Sequence, residues 1–94
     1  MLYAVICTDK PGHLETRKAN REAHLAYLGE TAVVHAGPFL GDAGEMIGSL
    51  VVIEAEDRAG AEAWAANDPY AKAGLFASVD IRPWNWAIKN PDSK

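Results

Sequence analysis

The chain has 94 residues, 49% of them hydrophobic and 23% charged, with a formal net charge of −4. That length supports one domain whose core needs no covalent staples, and the acidic balance argues against nucleic acid or an anionic membrane as the partner. Cys7 is alone, so there is no disulfide framework, no Cys/His spacing suggests a zinc site, and no apolar run is long enough to span a bilayer. Met1 leads directly into Leu2-Tyr3-Ala4-Val5-Ile6, which is too short for a signal segment and lacks its basic start. The expectation is a cytoplasmic, reduced protein.

Leu2 to Thr8 is an almost unbroken apolar run with β-branched residues, which predicts a strand buried on both faces. Asp9-Lys10-Pro11-Gly12 closes it with a turn. A helix is expected from near His13 to about Gly29, with Gly29 as its C-cap. Thr31 to Ala36 reads as a second strand stopped by Gly37-Pro38, and Gly41 to Glu45 reads as a hairpin loop. Gly48-Ser49 then opens a third strand, Leu50 to Glu54.

Asp57 is a good N-cap for a second helix, Arg58 to Asn67, with Ala59, Ala63 and Ala66 allowing close packing on a sheet. Pro69 bars Asp68 from helical geometry, so the chain bends there. After a turn through Ala71 to Gly74, a last strand runs from Leu75 to Arg82, with Leu75, Ala77, Val79 and Ile81 alternating along it. Pro83 to Ile88 is an aromatic segment, and Asn90 to Lys94 is a tail expected to fray.

Strand, helix, strand, strand, helix, strand is the order of an α+β, ferredoxin-like βαββαβ fold. It has a four-stranded antiparallel sheet and two helices on one face. Residues 1–90 form the single domain. Two helices cover only one face of the sheet, yet the first and third strands are apolar on both. Pairing of two copies through the open faces, a homodimer, is the simplest cover.

The first helix carries an anomaly. At about 100° per residue, Leu14, Leu25 and Leu28 share a face with Arg21 in its middle and Arg17 and His24 at its edge. A buried guanidinium cannot shed its charge, so it requires a facing anion, and Asp68 is the expected one. His24 reads either as a satisfied helix-edge histidine or as a general base. Asp68 reads either as an ordinary helix stop or as the carboxylate that fixes the histidine tautomer. Ser49 is a loop-closing serine or a substrate contact, and no Gly-x-Ser-x-Gly elbow supports a nucleophilic role. Tyr70 lines a cleft or covers the second helix, while Gly37 and Pro38 shape a turn near it. His13 and His35 read as structural or surface residues, Cys7 as a small buried hydrophobe, and Trp84 and Trp86 as interface packing.

Arg21-Glu22-Ala23-His24-Leu25, Ala36-Gly37-Pro38, Gly48-Ser49, Asp68-Pro69-Tyr70 with Ala73-Gly74, and Pro83-Trp84 together resemble the YciI-like (YCII-related) family of dimeric α/β-barrel proteins. The resemblance spans nearly the whole chain. It implies a ferredoxin-like protomer, dimerisation through the sheets and a cleft with a His-Asp pair, here His24 and Asp68. The family includes a dehydrochlorinase acting on a chlorinated hydroxyhydroquinone and resembles muconolactone isomerases in fold. The expected function is proton transfer without cofactor or metal on a small cyclic or aromatic ligand, by elimination, isomerisation or lactone chemistry. His24 and Asp68 would be catalytic, with Arg21, Ser49, Tyr70, Gly37 and Pro38 binding substrate. The rival is a non-catalytic dimeric module that binds a metabolite or serves another protein.

Overall fold

The computed structural model describes residues 1–92. Its apolar runs become the middle of one antiparallel sheet. β1 (Leu2–Asp9) and β3 (Met46–Glu54) are central, flanked by β2 (Val33–Leu40) and β4 (Phe76–Trp84), in the order β2-β3-β1-β4. The register puts Tyr3, Val5 and Cys7 opposite Ile53, Val51 and Ser49, all on the face covered by α1 (Leu14–Glu30) and α2 (Arg58–Ala66). Val5, Val51 and Ile53 are at most 1% exposed, and each such burial stabilises by about 1.5–3 kcal/mol. The ferredoxin-like expectation holds.

Element ends differ from the sequence reading for local reasons. Gly29 is not the C-cap of α1: the helix runs on to Glu30 and is capped by extended Thr31, whose hydroxyl donates to the Tyr27 carbonyl at 2.8 Å. β2 does not stop at Gly37-Pro38 but continues to Leu40, because on an edge strand a proline needs no ladder N–H. β3 correspondingly starts at Met46, and Gly44, at φ +85°, makes the hairpin turn. On α2 the buried alanines are Ala61 and Ala65, one turn apart, rather than Ala59, Ala63 and Ala66. Asp57 is the N-cap as expected, accepting from the Gly60 amide at 2.9 Å.

Instead of a plain turn, Pro69–Lys72 forms a one-turn helix, α3. β4 spans Phe76–Trp84 rather than Leu75 to Arg82, with a register shift at Thr8/Asp9; Leu75 is buried just ahead of it, and Val79, opposite Cys7 on the edge strand, is 42% exposed. Beyond β4, Trp86 packs edge-on against His35, with centroids 4.9 Å apart. Of the expected tail, Asn90 folds back, its amide donating to the Trp86 carbonyl at 3.3 Å. Residues 93 and 94 lie outside the described residues.

α1 and α2 are pinned together by a three-residue network. Tyr27 donates to the Trp64 carbonyl at 2.7 Å, and the Trp64 indole donates to the Thr31 hydroxyl at 2.9 Å. This brace holds the helix that carries His24 against the segment that leads to Asp68.

Candidate active site

Asp68 is forced out of the helix by Pro69 and becomes the N-cap of α3, its Oδ1 accepting from the Tyr70 amide at 3.0 Å. The bend turns the same carboxylate towards α1. There the imidazole N–H at Nδ1 of His24 donates to Asp68 Oδ1 at 2.8 Å, within a buried environment. Because Oδ1 acts as acceptor, the proton of this bond sits on Nδ1, and in the neutral imidazole Nε2 is the nitrogen that carries the lone pair. Nε2 has no protein partner among the described residues, yet it is not a sealed polar atom. It faces the pocket that His24 lines. Tyr70 stacks on the imidazole with centroids 3.8 Å apart and planes 13° apart, which fixes the ring.

The buried guanidinium belongs to Arg17, not Arg21. Arg17 is 2% exposed, whereas Arg21 is exposed at the pocket mouth. The partner of the buried one is also different. Arg17 makes a bidentate pair with Asp9, Nε to Oδ2 at 2.7 Å and Nη2 to Oδ1 at 2.8 Å, while Asp68 is engaged by His24. The helical stripe that turns inward is therefore centred on Arg17 and His24, and Leu25 lies 51% exposed. Arg17 Nη2 also donates to Ser49 Oγ at 2.9 Å, and its guanidinium carbon lies 4.7 Å from the centre of the Tyr70 ring. Burial works against the Arg17 charge, but the Asp9 carboxylate more than offsets it and holds the guanidinium above its usual range.

Ser49 owes its place to Gly48, where any side chain would run into the Cys7 carbonyl oxygen. Pro38 of β2 is directly opposite Ser49 of β3. A pocket of about 140 Å³ lies between α1 and this half of the sheet. Arg17, Arg21, His24, Ser49 and Tyr70 line it, and so do Ala36, Gly37 and Pro38 with apolar Leu25, Leu28, Met46 and Val51. All seven expected site residues are thus brought together: six line the pocket, and Asp68 stands behind His24. The sequence reading missed Asp9 and the buried role of Arg17. The available signal was a carboxylate closing an apolar strand just across a Pro-Gly turn from the start of α1.

The profile of the YCII-related domain matches residues 1–85. The chain belongs to the YCII-related family. Protein YciI of Escherichia coli O6:H1 is 39% identical over 95 residues, covering 89% of this chain and 96% of that protein. A Haemophilus influenzae relative, described only as an uncharacterized protein, is 38% identical with the same coverage. Among solved structures, 5-chloro-2-hydroxyhydroquinone dehydrochlorinase (TftG) from Burkholderia phenoliruptrix is similar, with a TM-score of 0.84 and 38% identity. The match covers 90% of this chain and 94% of TftG, whose structure is a complex with 2,5-dihydroxybenzoquinone. A NIPSNAP domain protein from Burkholderia xenovorans has a TM-score of 0.55 at 18% identity over 98% of this chain and 100% of that one, which shows the fold alone. YCII-related membership agrees with the resemblance read from the residues. Among the described residues no helix is long and apolar enough to cross a membrane.

Proposed function

We propose that the protein is a small enzyme that moves a proton on a single-ring compound, with His24 as the base and Asp68 as its orienting partner. The observation that carries this reading is the buried Nδ1–Oδ1 bond of 2.8 Å, which leaves the other ring nitrogen free towards the pocket. His24 Nε2 takes a proton from a ring carbon, whose electron pair moves through the ring onto a neighbouring carbonyl oxygen, or from a ring hydroxyl, whose electron pair stays on that oxygen. From that enolate, reprotonation elsewhere gives isomerisation, and departure of a leaving group as its anion gives elimination. Neither route moves electrons to an external acceptor, so the step needs no redox cofactor.

The pocket volume of about 140 Å³ is close to the ~150 Å³ cavity known to take up benzene, which suits one six-membered ring. The similarity to TftG supports the same substrate class, a hydroxylated and halogenated ring. Arg21, exposed at the mouth, is the cation that meets an anionic substrate. In this reading the working unit is a homodimer joined through the open sheet face. Ile6 and Leu50 are only half-buried there, Phe39 is 41% exposed and Trp84 is 38% exposed.

Turnover assays on halogenated hydroquinones and enol-lactones are the direct test. His24→Gln should lose about 10²–10⁴-fold in kcat, and Asp68→Asn should lose activity through misorientation of the imidazole. His24→Gln at wild-type kcat would remove the base. Tight ligand binding without turnover in the wild type would instead favour a passive binding module.

A further inference from the structure

Two cavities meet at one side chain. Met46 lines the pocket of about 140 Å³ that holds His24, and it also lines a groove of about 370 Å³. That groove runs between the β1–α1 turn and the foot of the β2–β3 hairpin. A bulge shapes it. The register of β2 on β3 jumps from Phe39–Gly48 to Leu40–Met46, so Ile47 is an extra residue in β3. In a regular strand neighbouring side chains point to opposite faces, yet here Met46 and Ile47 line the same groove.

The charged and polar side chains around the groove are committed elsewhere. Asp9 is held by Arg17 through two bonds of 2.7 and 2.8 Å. The Lys10 ammonium reaches the turn between α3 and β4, 3.7 Å from where a Cβ on Gly74 would stand. His13 Nδ1–H donates to the Pro11 carbonyl at 2.9 Å. What remains is mainly apolar: Pro11, Leu14, Met46 and Ile47, the last of them 46% exposed. Such a wall gains most from a ligand that covers it with apolar surface.

The partition between the two cavities has a fixed part and a movable part. Arg17 lines the His24 pocket and Asp9 lines the groove, so their buried ion pair joins the two walls rigidly. Met46 is the other part. It is half-buried and unbranched, and it can swing aside on three rotatable bonds.

We propose that the groove is a second subsite, gated by Met46, for an uncharged apolar arm on the ring that occupies the His24 pocket. The substrates are then alkyl- or aryl-substituted rings. No bond in the arm changes; it contributes binding only. This rests on the reading of the His24 pocket as the ring site, and the contribution of the arm is measured separately from turnover.

The test titrates the protein with 2,5-dihydroxybenzoquinone and with its 3-propyl and 3-pentyl analogues, followed by visible absorbance. Each added methylene should tighten Kd about two- to fourfold, the worth of a methylene moved out of water. Ile47→Asp puts a charge in the groove, and Ile47 is absent from the His24 pocket. It should erase most of the gain from the arm and leave the Kd of the bare ring within about twofold of wild type. Met46→Ala removes the gate and should speed association of the 3-pentyl probe more than that of the bare ring. The chain has two methionines, so methyl labelling gives Met46 a resolved signal. That signal should move further with the 3-pentyl probe than with the bare ring.

A Kd that ignores arm length, or a gain that survives Ile47→Asp, overturns the subsite, and so does failure of all three probes to bind. Equal association rates of the 3-pentyl probe in wild type and Met46→Ala overturn the gate. Arm-dependent binding in a protein that turns over no ring compound sinks the proton-transfer reading while the subsite stands. Turnover of bare rings with no gain from the arm does the reverse.

Discussion

The imidazole of His24 lies flat on the ring of Tyr70, with centroids 3.8 Å apart, and the guanidinium of Arg17 rests on that same ring. Tyr70 therefore acts as a template that fixes the imidazole and the guanidinium relative to each other. Tyr70→Phe keeps the ring and should leave kcat within a few-fold of wild type. Tyr70→Leu frees both groups and should lower kcat by about 10²-fold, the scale of an ångström of misplacement. Steady-state kinetics on any turned-over ring substrate decide it, and equal rates for the two variants would contradict the template role.

The two arginines of α1 should separate cleanly by stability. Arg17→Met leaves Asp9 charged and unpaired in a buried site, so it should cost about 3–5 kcal/mol. Arg21→Met changes an exposed side chain and should stay within about 0.5 kcal/mol of wild type while weakening anionic ligands. Denaturant melts of the two variants give the comparison. Similar stabilities would mean that the Arg17–Asp9 pair is not sealed in solution.

Alkaline pH should unfold the protein from the inside. Burial pushes the Cys7 thiol up from 9.0 to about 12, helped by the Asp68 charge and opposed by Arg17. Burial also raises the Tyr70 and Tyr27 phenols above 10.0. The folded state thus keeps protons that the unfolded chain releases, so this stability is intact below pH 9 and falls as pH rises from 9 towards 12. Denaturation curves across that range should show the decline. At pH 8 the native thiol should resist a disulfide reagent until denaturant is added. A fast native reaction would mean that the site is open.

Pairing through the open sheet face predicts a particle of twice the chain mass at micromolar concentration. Leu50→Lys puts a charge in the middle of that face and should give monomers, because an unpaired charge is excluded from an apolar interface. Sedimentation measures both. A wild-type monomer would remove the dimer from the functional reading.

The fold was legible because its two central strands are apolar on both faces, and only a central position in a sheet suits Val5 or Val51. The His24–Asp68 pair was legible through the family resemblance, and the proline-enforced bend after α2 supplies its physical reason by turning a carboxylate towards the neighbouring helix. The choice between Arg17 and Arg21 was not. It depends on a rotation of α1 by part of a turn, and that rotation is set by Asp9 and by Tyr27 bonding to the Trp64 carbonyl, neither of which leaves a periodic signal. The overrun of β2 was hidden for a related reason. Gly37-Pro38 is punctuation in the interior of a sheet, but on an edge strand it is harmless.

The edge position of β2 has a consequence for tailoring. Ala36 and Pro38 form a wall of the pocket on a strand held by one neighbour only, while His24, Asp68 and Arg17 sit on other segments. On the proposed function, steric selection and proton chemistry would be carried by separable stretches of chain. A small library at positions 36 and 38 could resize the slot for bulkier or slimmer rings and leave the acid–base apparatus untouched.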